Sequence, residues 1–359
     1  MAAILEIDGL VKRFPISGSS KTVNALNGIS LKLEAGTTLA LVGESGSGKT
    51  TVGRCITGLV PATAGTITFD GKPMDSRRDI RSRDVRGQIQ LVFQEPAEAL
   101  DPRMRVGETL GEPLVYAGMN RADRDRRVAE TARLVGLTPA QLDKLPSELS
   151  AGFQQRIGIG RAIATRPRLI VLDEPTSALD PTSRAEIVDL LIRLQRELGT
   201  AYLFISHDLS TVRHISDRVA VLYLGSIVEI GSANSVFAAP RHPYSAALLA
   251  SALLPHPSLV ATQSVVLDGE IPSPIDLPPG CPLASRCPFV EARCTTGAPP
   301  ARQIDHGHFA FCINTEKVAA LNAKVDLFDD FQVIANRVLG ERGGPIGTPE
   351  LAGARADAL

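Results

Sequence analysis

Apolar and polar residues along the chain follow the pattern of an α/β sheet with parallel strands. Short β-rich apolar runs are separated by longer stretches with helical periodicity. The predicted strands are residues 37–42, 88–93, 169–172 and 202–205. Because strands that alternate with helices usually form a parallel sheet, we expect one α/β domain over residues 1–238.

A charge-rich segment interrupts this alternation at about residues 95–160. Between residues 103 and 149, arginines and acidic residues recur at helical spacing and no run has strand character. We therefore expect a helical insertion inside the α/β domain.

The α/β pattern ends near residue 231. Gly225-Ser226 predicts a hairpin turn into a strand at 227–230, and Gly231 is expected to close the core. Residues 239–325 are rich in proline, which predicts an irregular appendage held by something other than regular hydrogen-bond ladders. Residues 326–359 are predicted to form a flexible tail.

Composition and charge narrow the class of protein. A length of 359 residues and 44% hydrophobic content suit a globular protein, and a net charge of −1 gives no general attraction to nucleic acid or anionic lipid. We find no secretory signal and no apolar run of the ~18 to 20 residues that a membrane-spanning helix needs. The chain is expected to stay in the cytoplasm and, if it serves a membrane process, to bind at the membrane surface without crossing it.

Residues 43–50, Gly-Glu-Ser-Gly-Ser-Gly-Lys-Thr, match the phosphate-binding loop pattern. They follow an apolar strand and precede a helix, which is the context that the chemistry requires. Backbone N–H groups at the helix start would surround the β- and γ-phosphates of a nucleotide. Lys49 would neutralise their charge, and the Thr50 hydroxyl can ligate magnesium.

An apolar strand ends in two carboxylates, Asp173 and Glu174. Burying carboxylates is unfavourable unless a cation or water chemistry uses them. We expect Asp173 to hold magnesium through water and Glu174 to act as the general base for the water that attacks the γ-phosphate. A strand end of this kind is often only solvated, and the phosphate loop in the same chain favours the functional interpretation.

Residues 149–156, Leu-Ser-Ala-Gly-Phe-Gln-Gln-Arg, resemble the signature of the ATP-binding-cassette family, Leu-Ser-Gly-Gly-Gln. The resemblance continues at Gln94 (the Q-loop), at residues 177–180 (the D-loop) and at His207 (the switch histidine). It implies a head-to-tail dimer in which each ATP lies between the phosphate loop of one subunit and the signature helix of the other.

The resemblance also implies a role for each matching residue. The catalytic residues are Glu174, His207 and Gln94. Nucleotide binding falls to Phe14, Gly43, Ser45, Gly46, Ser47, Gly48, Lys49, Thr50, Thr51 and Asp173, and magnesium binding to Thr50, Gln94 and Asp173. Contacts with the partner's ATP fall to Ser150, Ala151, Gly152 and Gln155 of the signature, and Ser177 and Asp180 are the matching D-loop residues. Phe14 is expected to stack on adenine, and a buried strand phenylalanine is the alternative.

The signature departs from the family form at two positions. Ala151 replaces its first glycine and Phe153 its glutamine, while Ser150 and Gly152 remain. An alanine methyl is compatible with a nearby phosphate if Ala151 keeps a negative φ. We therefore expect a working composite site that differs from its counterpart in the dimer.

Three stretches resemble the peptide-importer branch of the family. They are residues 94–103, residues 241–249 with the run Arg-His-Pro-Tyr, and residues 269–288. The branch implies an ATPase subunit on the cytoplasmic face of the inner membrane. The implied partners are a second, related cassette subunit in a heterodimer, two membrane permease subunits and an extracytoplasmic solute-binding protein, with no nucleic acid.

The predicted function is ATP-driven import of dipeptides or oligopeptides, with ATP and Mg²⁺ as ligands. Importers of glutathione, nickel chelates or another small solute share the same features and stay open as alternatives. A soluble cassette ATPase acting on nucleic acid or ribosomes is the alternative from another class, and the single cassette without a basic linker argues against it. The importer-type extension argues against an exporter.

Cys281, Cys287, Cys294 and Cys312 lie close together in the proline-rich segment. In a reducing compartment they favour metal or cluster ligation over disulfides. A [4Fe-4S] cluster is the predicted ligand, and zinc or free thiols are the alternatives. His306 and His308 could substitute as ligands or be solvated surface histidines, and Cys55 is expected to be a small buried apolar side chain.

Overall fold

The computed structural model describes residues 2–74, 83–252 and 265–322, so the predicted tail at 326–359 lies outside the described residues. The strands are β1 Ala3–Pro15, β2 Thr22–Glu34, β3 Thr38–Val42, β4 Ala64–Phe69, β5 Lys72–Pro73, β6 Ile89–Val92, β7 Leu169–Asp173, β8 Ala201–Ile205, β9 Arg218–Tyr223, β10 Ser226–Ser232, β11 Arg302–Asp305 and β12 His308–Ala310. They form two sheets.

The helices mostly alternate with the strands of the larger, eight-stranded sheet, except for a run of helices between β6 and β7. They are α1 Lys49–Ile56, α2 Arg83–Gln88, α3 Pro96–Ala99, α4 Val106–Tyr116, α5 Arg121–Leu134, α6 Pro139–Leu142, a 3-10 turn Pro146–Glu148, α7 Ala151–Ile163, α8 Pro181–Leu198, α9 Leu209–Ile215, α10 Ala233–Ala238, α11 Pro243–Ala252, α12 Ala292–Thr296 and α13 Thr315–Asn322.

The main sheet has the strand order β11-β12-β10-β9-β3-β8-β7-β6. Its centre is parallel, since β3 pairs with both β8 and β9, and β7 pairs with both β6 and β8. Every residue of β3, β7 and β8 is buried. Strands covered on both faces read as continuous apolar runs, which is why these segments were recognisable in the sequence. The predicted α/β fold is confirmed.

A second, antiparallel sheet has the order β2-β1-β4-β5. Its apolar face packs with residues of α1 and of the main sheet, including Leu5, Val52 and Leu203, in one buried cluster. Helix α1 therefore lies in an apolar layer between the two sheets, and its first residue, Lys49, comes directly after the phosphate loop. This packing fixes the position of the loop.

The predicted helical insertion is present as helices α3 to α7. Gly160 of α7 lies so close to α4 that an added Cβ would stand 2.7 Å from the Leu110 side chain. The insertion contributes Leu110, Val135 and Ile157 to the same buried cluster as Leu172 of β7. It is therefore packed on the α/β core as well as on itself.

The expectation that the core closes at Gly231 is wrong. Strand β10 continues to Ser232 and pairs with β12 through Glu229–Ala310 and Ile230–Phe309, and β12 pairs in turn with β11. The proline-rich extension thus adds two strands to the main sheet. The extension is therefore held by a regular ladder of β-sheet hydrogen bonds as well as by its loops. Its strand β12 pairs with N–H and C=O groups that would otherwise be unpaired at the edge of β10.

None of the helices in residues 2–74, 83–252 and 265–322 is long and apolar enough to span a bilayer.

Candidate nucleotide site

The phosphate loop joins β3 to α1 and encloses the Lys49 side chain. The Lys49 ammonium donates to the carbonyl oxygens of Gly43 at 2.8 Å and Glu44 at 2.9 Å, and to Ser47 Oγ at 3.4 Å. Burial lowers the pKa of Lys49, while Glu174, Asp173 and Glu44 oppose that shift. The lysine is therefore held by neutral carbonyls inside the loop, next to three carboxylates.

Two glycines of the loop are required by their close contacts. Gly43 has φ +147°, and a Cβ there would stand 2.2 Å from the Leu222 carbonyl oxygen. Gly48 has φ +105°, and a Cβ would stand 2.6 Å from the Ala25 carbonyl oxygen. Any side chain would push the loop off these backbones, so the glycine spacing in the sequence reflects tight packing as well as access for phosphate.

The hairpin between β9 and β10 supports the loop from behind. Its turn residues Leu224 and Gly225 have φ values of +44° and +73°. The Gly225 N–H donates to the Ser47 carbonyl at 2.9 Å, and the Asn27 amide donates to the Leu224 carbonyl at 2.8 Å. The predicted turn at Gly225 therefore has a second task, which is to hold the phosphate loop.

The predicted magnesium ligands Thr50 and Asp173 lie in contact. The Thr50 hydroxyl donates to Asp173 Oδ1 at 2.9 Å. Asp173 is only 6% exposed, and burial raises the pKa of its carboxyl, partly offset by the Thr50 hydrogen bond. A buried carboxylate beside a hydroxyl is a suitable donor set for a hard divalent cation. These residues fit magnesium.

Glu174, one residue beyond β7, has a backbone conformation that is unusual for a residue with a side chain. Its φ is +48°, and its N–H is fixed by a 2.9 Å hydrogen bond to the Ile205 carbonyl of β8. Its Oε2 lies 3.1 Å from His207 Nδ1. Non-glycine residues with positive φ are uncommon and concentrate at functional sites. The two predicted catalytic side chains therefore meet directly, a contact that the sequence did not indicate.

Most of the phosphate loop lines one cleft of about 590 Å³ together with Glu174 and His207, whereas Gly43, Ser47 and Asp173 lie outside its lining. The lining is formed by Val23, Ala25, Ser45, Gly46, Gly48, Lys49, Thr50, Thr51, Gln94, Glu174, His207 and Pro274. The cleft thus brings together the predicted phosphate loop, Q-loop, base and switch histidine. Pro274 comes from the extension, and its carbonyl accepts hydrogen bonds from the Asn24 backbone at 2.9 Å and side chain at 3.0 Å.

Phe14 lies outside the lining of this cleft. It is half-buried in β1, paired with Val23 in register, and the Lys12 ammonium lies 4.7 Å from its ring centroid. Val23 does line the cleft, so the aromatic is one strand pair away from it. The role of Phe14 in stacking on adenine stays a prediction.

The signature residues begin helix α7, with Ser150 as its N-cap residue. Ser150 and Ala151 are exposed, and Ala151 is absent from the described residues with positive φ, so it meets the condition set for a methyl group at this position. Gln155 is only 1% exposed, and its Nε2 has no hydrogen-bond partner among the described residues.

The D-loop residues are tied to neighbouring backbone. The Ser177 hydroxyl donates to the Glu174 carbonyl at 3.1 Å, and Asp180 caps α8 by accepting from the N–H groups of Thr182 and Ser183, each at 3.0 Å. The same segment therefore helps to fix the backbone of Glu174 and starts the next helix.

The four cysteines of the extension share one neighbourhood without forming a metal site. The Cys281 N–H donates to the Cys294 carbonyl at 2.7 Å, and burial raises the pKa of Cys281, and those of Cys287 and Cys312 to about 11. Across residues 2–74, 83–252 and 265–322, however, no three His, Cys, Asp or Glu side chains are grouped to hold a metal ion.

His308 is not the solvated surface histidine that the sequence suggested. It is 3% exposed, and its Nε2 lies 2.8 Å from Oε1 of the fully buried Glu229. That nitrogen must carry the proton, since a carboxylate can only accept. His306 is exposed, and Cys55 is buried as expected.

Comparisons with known proteins place the chain in a family. Residues 26–177 match the family model described as "ABC transporter", and residues 228–294 match "Oligopeptide/dipeptide transporter, C-terminal region". The chain is 42% identical over 328 residues to the oligopeptide transport ATP-binding protein OppF of Salmonella typhimurium, covering 89% of this chain and 97% of that protein. It belongs to the peptide-importer branch of the ABC transporter family. A putative peptide import ATP-binding protein of Brucella ovis is 43% identical over 311 residues, or 86% of this chain and 97% of the relative.

Solved structures agree with this placement. The cbiO1 cassette from Clostridium perfringens, part of the ABC transporter complex cbiONQ, matches 66% of this chain and 92% of that one with a TM-score of 0.59 and 30% identity. The ATP-binding cassette MJ0796 in a dimeric, post-hydrolysis state with ADP and Pi matches 64% of this chain and 98% of its own, with a TM-score of 0.58 and 27% identity. ATP and Mg²⁺ therefore fit both the family and the cleft.

Proposed function

We propose that this chain is the ATP-hydrolysing subunit that energises import of dipeptides or oligopeptides through a membrane permease. One observation carries the proposal. The phosphate loop, Glu174 and His207 meet in one cleft, with Asp173 hydrogen-bonded to Thr50 of its lining, and the chain that builds this cleft also carries the C-terminal region of oligopeptide and dipeptide transporters. The relatives named above are ATP-binding proteins of peptide transport or import.

The geometry supports a specific division of work in ATP hydrolysis. Lys49 would exchange its loop carbonyls for the phosphates, with backbone N–H groups at the start of α1 around them. Thr50 and Asp173 would hold magnesium, which supplies charge neutralisation for the phosphates when bound. Glu174 would take a proton from the water that attacks the γ-phosphorus in line. The bond to the bridging oxygen then breaks and leaves ADP and phosphate.

His207 has two tasks in this proposal. Its hydrogen bond at 3.1 Å orients the Glu174 carboxylate, and its side chain is 62% exposed at the cleft mouth, where it can reach the γ-phosphate. Because Glu174 is held by backbone as well as by His207, the base is placed before nucleotide arrives. Positioning of this kind lowers the barrier without new contacts.

A second cassette would complete the ATP site. Ser150 and Ala151 are exposed at the start of α7, a 13-residue helix whose N-terminus favours a negatively charged group. A dimer is the form in which MJ0796 was solved. We propose that the partner is a related chain rather than an identical one, because the resemblance to the peptide-importer branch favours a related partner.

A groove between the helical insertion and β6 suits a helix of a permease subunit. It has a volume of about 820 Å³ and is lined in part by Leu59, Phe93 and Tyr116, which are 57%, 40% and 73% exposed. Exposed apolar patches of this kind mark interaction surfaces. Phe93 lines this groove and the next residue, Gln94, lines the nucleotide cleft, so a partner in the groove would move the Q-loop directly. This contact would place the chain at the cytoplasmic face of the inner membrane.

Uptake by a rebuilt transporter tests the function. Vesicles carrying this chain, its membrane subunits and the solute-binding protein should transport labelled dipeptides or oligopeptides only when ATP is present on the side of the membrane that carries this chain. A Glu174→Gln transporter is the matched control, because it should bind ATP and fail to drive uptake. ATP hydrolysis stimulated by glutathione or a nickel chelate, with no peptide uptake, would replace peptide by those solutes. Stimulation by nucleic acid alone would overturn the transport function.

We also propose a [4Fe-4S] cluster bound by the four cysteines of the extension. The raised pKa values of Cys281, Cys287 and Cys312 keep these thiols neutral unless a cation stabilises the thiolates, so a metal would both deprotonate them and draw the side chains together. The test is anaerobic purification followed by a visible spectrum and iron, sulfide and zinc analysis. About four irons and four sulfides per chain support the cluster, zinc supports the alternative ligand, and metal-free protein rejects both.

A further inference from the structure

A tyrosine of the extension holds the phosphate loop. The hydroxyl of Tyr244, in helix α11, accepts a hydrogen bond of 2.8 Å from the backbone N–H of Glu44, the second residue of the loop. Tyr244 is 1% exposed, and burial raises the pKa of its phenol, so the hydroxyl stays protonated. The two residues are 200 positions apart in sequence. No motif of the loop itself indicates this contact.

The hydrogen bond acts on one particular peptide unit. The Glu44 N–H and the Gly43 carbonyl belong to the same planar amide, and the Gly43 carbonyl accepts from the Lys49 ammonium at 2.8 Å. Tyr244 therefore fixes the N–H end of the amide whose oxygen end holds the lysine. The amide is otherwise easy to rotate, since Gly43 lacks a Cβ and has φ +147°. Rotation would remove one carbonyl from Lys49 and reshape the first turn of the loop.

Tyr244 is itself held rigidly. Its ring lies 4.6 Å from the Tyr223 ring, centroid to centroid. Its backbone N–H donates to His242 Nδ1 at 3.1 Å, and the His242 and Arg241 N–H groups donate to the carboxylate of buried Glu229 at 2.9 and 2.8 Å. Since His308 of β12 binds the same carboxylate, the tyrosine is tied to both β10 and β12 of the main sheet.

We propose that Tyr244 is a positioning residue for ATP binding, which presets the Gly43–Glu44 amide and through it Lys49. This inference rests on the proposed function of the phosphate loop. It gives the Arg-His-Pro-Tyr run of the extension a task in the nucleotide site, in place of a purely architectural one. Tyr244 touches neither nucleotide nor the reacting atoms in this proposal, so it acts through ATP affinity and leaves the chemical step to Glu174.

The Tyr244→Phe variant tests this with the loss of a single oxygen, because phenylalanine keeps the ring contact with Tyr223. We expect the Kd for ATP of the full chain, and the KM for ATP of the assembled transporter, to rise about five- to tenfold, since the Glu44 donor is left unpaired. The kcat should stay within about twofold of wild type, because Glu174 and His207 are unchanged. Calorimetric titration and steady-state hydrolysis measure the two quantities.

Tyr202→Phe is the matched control. Tyr202 is a buried tyrosine of β8 whose hydroxyl donates to the Leu191 carbonyl at 3.2 Å, away from the loop. Its loss should lower the melting temperature as much as the loss of the Tyr244 hydroxyl and leave the Kd and KM unchanged. If both variants only lose stability, and Tyr244→Phe binds ATP like wild type, the positioning role is rejected.

Arg286→Gln separates the hydroxyl from the rest of the extension. Arg286 reaches Glu44 Oε2 at 3.5 Å and the Tyr223 hydroxyl at 3.4 Å, both at the limit of a hydrogen bond. We expect less than about a threefold rise in Kd. A larger effect than that of Tyr244→Phe would transfer the role from the hydroxyl to the arginine and reject the proposal as stated.

Lys49→Ala distinguishes failure of the inference from failure of the proposed function. If Lys49→Ala loses ATP affinity while Tyr244→Phe keeps it, only the role of Tyr244 falls. If Lys49→Ala binds ATP like wild type, the phosphate-loop assignment falls and takes the role of Tyr244 with it.

Discussion

Asp173 and Glu229 are both buried carboxylates of the main sheet, yet their surroundings differ. Glu229 of β10 is fully buried and accepts from two backbone N–H groups and from His308, at 2.8 to 2.9 Å. Asp173 at the end of β7 is 6% exposed, and among the described residues its carboxylate accepts one hydrogen bond, from Thr50. Burial raises the pKa of Asp173, which means that its charge is poorly compensated.

The difference separates a structural carboxylate from a functional one. Three donors around Glu229 compensate its burial from within the chain, so this residue joins the extension to the sheet. Asp173 lacks such a set and lies beside a cleft, which is the condition under which a divalent cation completes the shell. The number of donors around a buried carboxylate is therefore more informative than its burial.

The Glu174→Gln variant should give the largest effect, because it removes the proposed general base and leaves Asp173 unchanged. The water loses its base while the phosphate cradle stays intact, so kcat for ATP hydrolysis should fall by about 10²- to 10⁴-fold with ATP affinity retained. Single-turnover hydrolysis and ATP binding in the assembled transporter measure both. Turnover at the wild-type rate would remove Glu174 as the base.

The Asp173→Asn variant tests the functional side of the comparison. We expect Mg²⁺-dependent ATPase activity to fall by about a hundredfold, because an amide replaces the charged ligand. The unfolding free energy of the nucleotide-free chain at pH 7 should stay equal or rise. The sign follows from the raised pKa, which shows that the ionised carboxyl is less favourable in the folded chain than in the unfolded one. If Asp173→Asn lowered the free energy of unfolding as much as a Glu229→Gln variant does, Asp173 would be a structural carboxylate like Glu229 and the proposed difference between them would be wrong.

The Glu229→Gln variant tests the structural side. The glutamine side chain is neutral and has a single acceptor oxygen, so it cannot pair with all three donors. We therefore expect the free energy of unfolding to fall by about 1 to 3 kcal/mol. Denaturant unfolding measures this, with Glu186→Gln as a control in which an exposed carboxylate is changed. The chemical step should be spared, and a kcat loss comparable to that of Asp173→Asn would contradict a purely structural role.

The Ala151→Gly variant should have the smallest effect and sharpens the picture of the composite site. Ala151 is exposed and helical, so restoring the family glycine should change ATPase kcat by less than about twofold and slightly lower the stability of α7. A tenfold gain in kcat would show that the alanine methyl obstructs the partner's nucleotide.

The phosphate loop and the strand before Asp173 could be predicted because the sequence states them locally. Gly43, Gly48 and Lys49 fall within eight consecutive residues, and the buried strands are continuous apolar runs. The Glu174–His207 contact required the register of β7 beside β8, which no spacing reports. Glu174 and His207 were each predicted as catalytic residues, but the contact between them was not predicted.

The extension was harder to predict, for a physical reason. Strands β11 and β12 have only four and three residues, too short for an alternating pattern, and their pairing depends on the edge that β10 leaves. His308 looked like a surface residue because its partner, Glu229, lies 79 positions earlier. The position of Tyr244 against the phosphate loop and that of Pro274 in the cleft lining likewise depend on the fold and could not be predicted from the sequence.

The addition of β12 to β10 has a consequence for handling the cassette. A chain cut after residue 238 would keep β10 and lose its neighbour β12. The seven-residue β10 would then be an edge strand with unpaired N–H and C=O groups, which can pair with strands of other molecules. In the full chain the outermost strand is β11 instead, four residues long and mostly exposed, with charges at Arg302 and Asp305. We therefore expect purified cassettes without the extension to form sheet-rich aggregates more readily than the full chain.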